Sequence, residues 1–388
     1  MSEEALRGHA RRAGRLLVAS GIAPPEAGGP ATWLQDVLPA LQAQGWELEV
    51  ISFGDASPDG PSWPLKRIPR SIPPLRLARY AGAAWSRMRG ADLVLHTTPG
   101  LPLPPGGPPR VYRIVGDQAW ERSIRRGWIP PDEDIERFQL QRYGRLVELQ
   151  KTLRSRELQR ARRVIVPGEW LRRLVTGWGV MPTQIQVIPN ALPPLAATPA
   201  QDQVVARQQL GLDDQPLLLT AARLNPWKGI DQLLSALAQV PQFRLIVAGD
   251  GPQRPALERQ VEQLKLEPRV RFMGQITRPQ LALYMQAADW FVLYSGYEGL
   301  SHSLLESLQV GTPVIASDRC GNPEVVTQDQ NGLLVPWPDG DALVEALQRA
   351  LQPGLRERLA GNAADGLERF SFERMVSQTD ALLRICRD

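Results

Sequence analysis

Cysteine is nearly absent from this 388-residue chain: Cys320 and Cys386 stand far apart and outside any metal-ligand spacing. That excludes a disulfide framework and a thiolate zinc site, and leads us to expect a reducing, cytoplasmic setting. Histidine is scarce too, with only His9, His96 and His302. No apolar run approaches the roughly 18 residues of a membrane-spanning helix. Leu16–Ala19, preceded by Arg11, Arg12 and Arg15, runs too soon into Pro24-Pro25 for a signal-peptide core and reads as a buried first strand. No G-x-G-x-x-G follows a strand with an acidic residue about 20 positions on, which speaks against an NAD-type enzyme. No aromatic RNA-binding signature accompanies the basic residues, so a nucleic-acid partner is not expected.

What is present is an uneven charge. Residues 1–195 carry 27 Lys+Arg against 18 Asp+Glu, residues 196–388 carry 18 against 23, and eight of the eleven Trp lie in the first part. Chance in an arginine-favouring composition explains this (only four Lys occur); an anionic acceptor or membrane surface facing the first half explains it equally.

Strand-length apolar runs alternate with amphipathic helical stretches, the pattern of parallel sheets with crossover helices. In the first half the strands expected are Arg15–Ser20, Glu47–Phe53, Asp92–His96, Arg110–Val115 and Arg163–Pro167, with helices at Ala31–Gln44 and Arg137–Ala161. Segments 55–76 and 98–109 read as Pro/Gly-rich loops. VIPNALPP at 187–194 forms a short strand, a turn and a stiff connector, after which the pattern restarts. Strands follow at Pro216–Ala221, Arg244–Ala248, Val270–Met273, Trp290–Tyr294 and Thr312–Ala316. Helices follow at Ile230–Val240, Arg254–Leu264, Pro279–Ala287, Ser303–Gln309 and Asp341–Ala350. The division expected is one domain over 1–192, a second over 193–371, and a final helix, 372–388, docking back on the first. Ligands of such sheets bind at the carboxyl ends of the strands.

Three constellations sit at such ends. Arg223 and Lys228, in ARLNPWKG after the strand LLLTA, can clamp a diphosphate or be two solvated cations. In SGYEGLSHSLLESLQ (295–309), Glu298 lies in a glycine-flanked loop before a helix whose first amides and dipole make a phosphate cradle. Glu306 can accept from ribose hydroxyls, yet Ser303-x-x-Glu306 also matches a capping box. Gly249-Asp250-Gly251-Pro252 lets a ligand approach the backbone or forms a plain turn.

In this order and at these separations, with seven residues between Glu298 and Glu306, and together with VRFMG, GTPVIAS and GNPEVV, the motifs resemble the donor domain of the retaining family 4 glycosyltransferases. The resemblance covers about residues 186–350 and implies a GT-B fold: two Rossmann-like α/β domains with an interdomain cleft. It implies that Arg223 and Lys228 hold the donor diphosphate and stabilise its leaving charge. Glu306 would bind the ribose, Glu298 and the amides of Gly299, Leu300 and Ser301 the sugar and distal phosphate, and the backbone at Met273 and Gln275 the base. Gly249 and Gly251 would border the donor. In the first half, Gly28-Gly29-Pro30 looks like the glycine-rich loop that approaches the phosphates, with Gly29 the donor-binding candidate. VGDQAWERS at 115–123 resembles a segment in which many members carry a His; here Asp117 stands nearest. A catalytic Asp117 and an Asp capping the next helix fit the same residues. His302 sits inside the cradle without an assigned role.

The activity implied is a hexosyltransferase reaction that passes sugar from a nucleotide diphosphate to an acceptor hydroxyl with retention, by front-face displacement. It serves polysaccharide, glycolipid or other glycoconjugate synthesis. The co-substrate expected is UDP- or GDP-linked; neither a metal nor a separate cofactor is expected, and Asp132-Glu133-Asp134 reads as a solvated loop. A catalytically silent partner subunit of the same fold is the alternative. Finally, Leu75, Leu77, Tyr80, Ala81, Ala84, Trp85 and Met88 share a helix face edged by Arg76, Arg79, Arg87 and Arg89. It is either a buried domain helix or a face for peripheral contact with an anionic membrane, at its inner leaflet.

Overall fold

The computed structural model describes residues 13–26, 28–55, 61, 63–193 and 202–388. His9, Arg11, Arg12 and Pro194, all named above, lie outside them. The chain divides into two compact units, one of residues 1–128, 141–189 and 372–388, the other of 129–140 and 190–371.

The first unit holds seven parallel strands: β1 Gly14–Ser20, β2 Trp46–Phe53, β3 Leu65–Ile68, β4 Leu93–His96, β5 Arg110–Arg113, β6 Arg163–Val166 and β7 Ile185–Val187. Their order is β3-β2-β1-β4-β5-β6-β7. Leu16, Leu17, Val18 and Ala19 of β1 are all buried, as a strand covered on both faces of a parallel sheet must be. β3 lies inside the segment read as a loop. Its sequence LKRI is short and charged, as suits an edge strand, and so carries no strand signal. The helix Phe372–Arg387 packs on this unit. Trp46 Nε1 donates to Asp380 Oδ1 (2.7 Å), Arg384 Nη2 to Gln44 O (2.6 Å) and Arg387 Nη1 to Ala13 O (2.5 Å).

Arg137–Ala161 is not one helix. Helices at Ile135–Leu140 and Arg145–Gln159 flank a break at 141–144, where Glu148 accepts the Tyr143 amide (3.0 Å) and Lys151 Nζ donates to Gln141 O (2.7 Å). Two residues inside the second helix thus satisfy backbone groups just before it, as a cap does. The first helix belongs to the other unit, where its neighbour Asp134 pairs with Arg319.

The second unit has six parallel strands: β8 Leu217–Ala221, β9 Arg244–Ala248, β10 Val270–Gly274, β11 Trp290–Leu293, β12 Val314–Ser317 and β13 Gly332–Val335. They run β10-β9-β8-β11-β12-β13. In both sheets the first strand lies beside the fourth, so the winding direction reverses there and the loops at the carboxyl ends part. That reversal is where open α/β sheets bind ligands. In the second unit it falls between β8 and β11.

A buried histidine marks the first sheet. His96 is fully buried and stacks on Tyr112 with centroids 4.2 Å apart, and neither ring nitrogen has a hydrogen-bond partner. Burial, reinforced by the Arg110 charge, pushes its pKa down from 6.5 to about 3. The unfolded chain therefore binds a proton that the folded chain refuses, and stability falls as pH drops through that window, by up to about 1.4 kcal/mol per pH unit. His96→Phe keeps a stacking ring. It is expected to flatten the acid limb of stability measured by urea unfolding; an unchanged limb would mean that His96 does not couple folding to protons.

Candidate functional site

The site grows from β8. After Ala221 the chain turns outward through Ala222–Lys228, and the neighbouring β9 loop fixes that turn. Ala222 N donates to Ala248 O (3.1 Å), Leu224 N to Asp250 O (3.1 Å) and Gln253 N to Leu224 O (3.0 Å). The loops approach so closely that a Cβ on Gly249 would lie 2.0 Å from Ala222 O, and one on Gly251 2.6 Å from Leu224 O. The Gly249 amide donates to Gly274 O (2.7 Å) and that of Gly251 to Asp250 Oδ1 (2.7 Å). Both amides are thus used within the protein, and the missing side chains make room for protein backbone. The result is a rigid base for Arg223, whose exposed guanidinium makes no hydrogen bond or ion pair among the described residues.

Lys228 points the other way, toward β11. Its Nζ is ion-paired with Glu298 Oε1, which also accepts from Ser295 Oγ (3.1 Å). Both side chains are largely buried. Trp337, just past β13, holds the two loops in register. A Cβ on Gly229 (φ 61°) would meet Tyr294 O at 2.0 Å and the Trp337 ring at 2.6 Å, and one on Gly296 would meet that ring at 2.7 Å. Gly296 N donates to Trp227 O (2.9 Å).

The loop then passes into the helix His302–Gln309, capped by Ser301 Oγ, which accepts from Leu304 N (3.3 Å). Gly321 N donates to Glu298 O (3.0 Å), and a Cβ there would collide with Gly299 O; this is the role of the glycine in GNPEVV. Asn190 Nδ2 holds Leu300 O (2.9 Å). With the carbonyls pinned, the buried amides of Gly299, Leu300 and Ser301 donate to no acceptor among the described residues. They form an anion-seeking nest at a helix start.

Glu306 is not half of a capping box. Ser301 is the cap, Ser303 Oγ reaches Ala221 O (3.4 Å), and Glu306 Oε1 accepts from Arg278 Nε (3.1 Å). Met273, half-buried, and Gln275, exposed, lie at the carboxyl end of the edge strand β10. Cys320 supplies no nucleophile: burial pushes its thiol pKa up to about 12.

In the first unit, Gly29 opens the helix Gly29–Ala43 and is exposed, with nothing within 4 Å of a would-be Cβ; Gly28, at φ 147°, makes the turn. The structure places Asp117 in the helix-capping role. It is 0% exposed, caps the helix Gln118–Arg125 by accepting from Ala119 N (2.9 Å) and Trp120 N (3.3 Å), and is ion-paired with Arg154. Arg154 in turn lies 3.9 Å over the Trp178 ring. The acidic triplet also differs from its reading, because Glu133 is buried and pairs with Arg137. No cluster of three or more His, Cys, Asp or Glu that could hold a metal occurs among the described residues.

Sequence reasoning missed Trp337, Arg278 and Asn190, because each acts from a different segment through one contact. Only Trp337, in the short run VPWPD after an apolar stretch, carried a visible signal.

Two Rossmann-like sheets, one with cations, a carboxylate and a nest at its switch point, define a doubly wound α/β architecture. Residues 202–365 match the Glycosyl transferases group 1 family and residues 27–194 match Glycosyltransferase Family 4. These matches lie end to end over most of the chain, which belongs to the family 4 glycosyltransferases of two-domain GT-B fold. Alpha-D-kanosaminyltransferase of Streptomyces kanamyceticus is 32% identical over 41% of this chain and 42% of its own. The chain spans about half the length of the curated relatives it matches. Sucrose-phosphate synthase from Thermosynechococcus elongatus superposes with a TM-score of 0.77 at 24% identity, covering 96% of this chain and 98% of that one. HepE of Anabaena, solved in complex with UDP-glucose, gives 0.74 at 22% identity, covering 95% and 99%.

Gly229→Ala, with a positive φ and a backbone oxygen in the way, is expected to destabilise the second unit by about 2–4 kcal/mol in chemical denaturation. Gly340→Ala, at a helix start with open space around it, is expected to change stability little. Equal effects would show that the Gly229 contact does not constrain the loop.

Proposed function

We propose that the chain is a nucleotide-sugar-dependent glycosyltransferase that moves a hexosyl unit to an acceptor hydroxyl with retention at the anomeric carbon. The observation that carries this is the β8–β11 switch point, whose loops in one unit carry the unpaired Arg223, the Lys228 held by Glu298 and the free amides of Gly299–Ser301. Such a set neutralises charge growing on a departing diphosphate without a metal. Arg223 supplies a planar fork and Lys228 a point charge. Glu298, positioned by Lys228 and Ser295, faces the sugar hydroxyls. Glu306, oriented by Arg278, takes the ribose, and the end of β10 at Met273 and Gln275 the base. On the family resemblance, Gly29, at the start of its helix in the first unit, is a donor-binding candidate. The donor class is a UDP- or GDP-sugar, in line with the UDP-glucose bound to HepE. Two unpaired cysteines support a reducing, cytoplasmic workplace. The acceptors are those of polysaccharide, glycolipid or other glycoconjugate synthesis.

A thermal-shift panel of UDP-, GDP-, ADP- and TDP-sugars tests the donor; a ligand at 100 times its dissociation constant adds about 2.7 kcal/mol of stability. Arg223→Ala and Lys228→Ala are each expected to lower turnover by about two to three powers of ten with the fold retained. Selective binding of a sugar nucleotide without turnover of any acceptor would favour the silent partner subunit. No stabilisation by any member of the panel would sink the assignment.

A second reading concerns the helix Pro73–Met88. Tyr80, Ala84 and Met88 are buried in the first unit's core. Arg87 pairs with Glu49 and Arg76 lies over Phe53. What remains outside is Ile72, Leu75, Leu77 and Trp85, between 40% and 69% exposed, near Arg79 and Arg89. We propose that this narrower face touches an anionic membrane surface peripherally; no helix among the described residues is long and apolar enough to cross one. Each Arg contributes about 1 kcal/mol near such a surface. Sedimentation with anionic liposomes is expected to show salt-sensitive binding that Arg79→Glu/Arg89→Glu weakens. Equal recovery in the supernatant with and without anionic lipid would leave a helix exposed only to solvent.

A further inference from the structure

The amino-terminal edge of the first sheet, opposite the strand ends that carry Gly28-Gly29 and Asp117, holds a cavity of about 1120 Å³. The starts of β5 and β6, the residues leading into β7, the end of the Arg145–Gln159 helix and the proline-rich connection from Gly100 to Pro109 bound it. No motif of the donor site reaches it.

Its charge is one-sided. Arg110, Arg156, Arg160, Arg162 and Arg163 line it against a single acid, Glu157. That acid is already engaged: Oε2 accepts the Gly100 amide at 2.8 Å, and the Tyr112 hydroxyl also bonds to it. Arg110 is built into the wall through Pro104 O and Gly106 O (3.1 Å), and Arg163 Nη1 donates to Arg162 O (3.0 Å). The guanidiniums of Arg156, Arg160 and Arg162 make no hydrogen bond or ion pair among the described residues. All three are exposed and line one concavity, which they share with the apolar Leu101, Leu103 and Leu153 and the polar Tyr112, Thr183 and Gln184. Like charges so placed repel one another unless an anion sits among them.

We propose that this cavity binds a phosphate-bearing anion, a phosphomonoester or oligophosphate gripped in planar, bidentate fashion by Arg156, Arg160 and Arg162. The group can come from a soluble oligophosphate or from a phospholipid headgroup. The experiment has an arm for each. Calorimetric titration of the full chain with inorganic tripolyphosphate uses an Arg223→Ala/Lys228→Ala background, so that the donor-site cations cannot supply the signal. One-to-one binding is expected, weakened at least about tenfold by Arg156→Glu/Arg160→Glu/Arg162→Glu and less by Arg160→Gln alone. The second arm is flotation with phosphatidylglycerol vesicles against phosphatidylcholine vesicles in an Arg79→Glu/Arg89→Glu background. Tripolyphosphate binding lost on the triple reversal supports the cavity with a soluble anion as occupant. Vesicle capture lost on the same reversal, without tripolyphosphate binding, supports it with a headgroup as occupant. Binding of neither probe, or binding that the reversal leaves unchanged, overturns the proposal. All of its residues belong to the first unit, so that outcome is separable from failure of the donor reading.

Discussion

The Trp337 indole occupies the space that side chains on Gly229 and Gly296 would fill, and the rest of the site depends on that contact. Its Cζ3 and Cη2 atoms limit how far the Lys228 loop can move and its Cε2, Cζ2 and Nε1 atoms limit the Glu298 loop, so a third segment presses on the backbones that carry the cation and the carboxylate. Backbone pressed against a rigid ring has fewer alternatives than two flexible side chains. Catalytic electrostatics need such fixity, since dipoles that are already oriented cost no reorganisation when charge appears. Gly249 and Gly251 repeat the device on the far side of β8.

The Lys228–Glu298 pair places a condition on any anion that enters. Lys228 is held by a carboxylate in a largely desolvated position, and moving it to a phosphate replaces one partner with another instead of leaving a bare charge. Separating a buried pair without replacement is costly, so the exchange favours ligands that supply both a phosphate for the lysine and hydroxyls for the freed carboxylate. A nucleotide sugar carries both. Free phosphate carries one.

How far the sequence discloses this depends on the range of each interaction. The strands β8 and β11 are buried along their whole length, and β1, β2 and β9 over most of theirs, so a local window suffices to find them. β3 and β13 are short and draw their identity from a neighbouring strand, and no window shows the neighbour. The Arg223, Lys228, Glu298 and Glu306 motifs were legible because sites at strand ends keep their residues close in sequence. The purpose of Gly249, Gly251 and Gly321 was not, because the group that forbids a side chain lies in another loop. Asp117 shows the limit most directly. Its position after β5 matched a catalytic residue and a helix cap alike; the bonds from Ala119 N and Trp120 N show the cap, and the ion-pair partner Arg154, 37 positions away, is invisible to a local window.

The chain enters and leaves its first unit more than once, and the closing helix Phe372–Arg387 belongs to the sheet that begins at Gly14. During synthesis from the amino terminus the second sheet has all its strands before that helix emerges. Trp46 and the Gln44 carbonyl wait for partners more than 300 residues downstream. Domains generally complete in the order in which they are made; here the order is inverted at the last step. The later unit can complete its sheet while the earlier one still lacks the helix that bonds to Trp46 and Gln44.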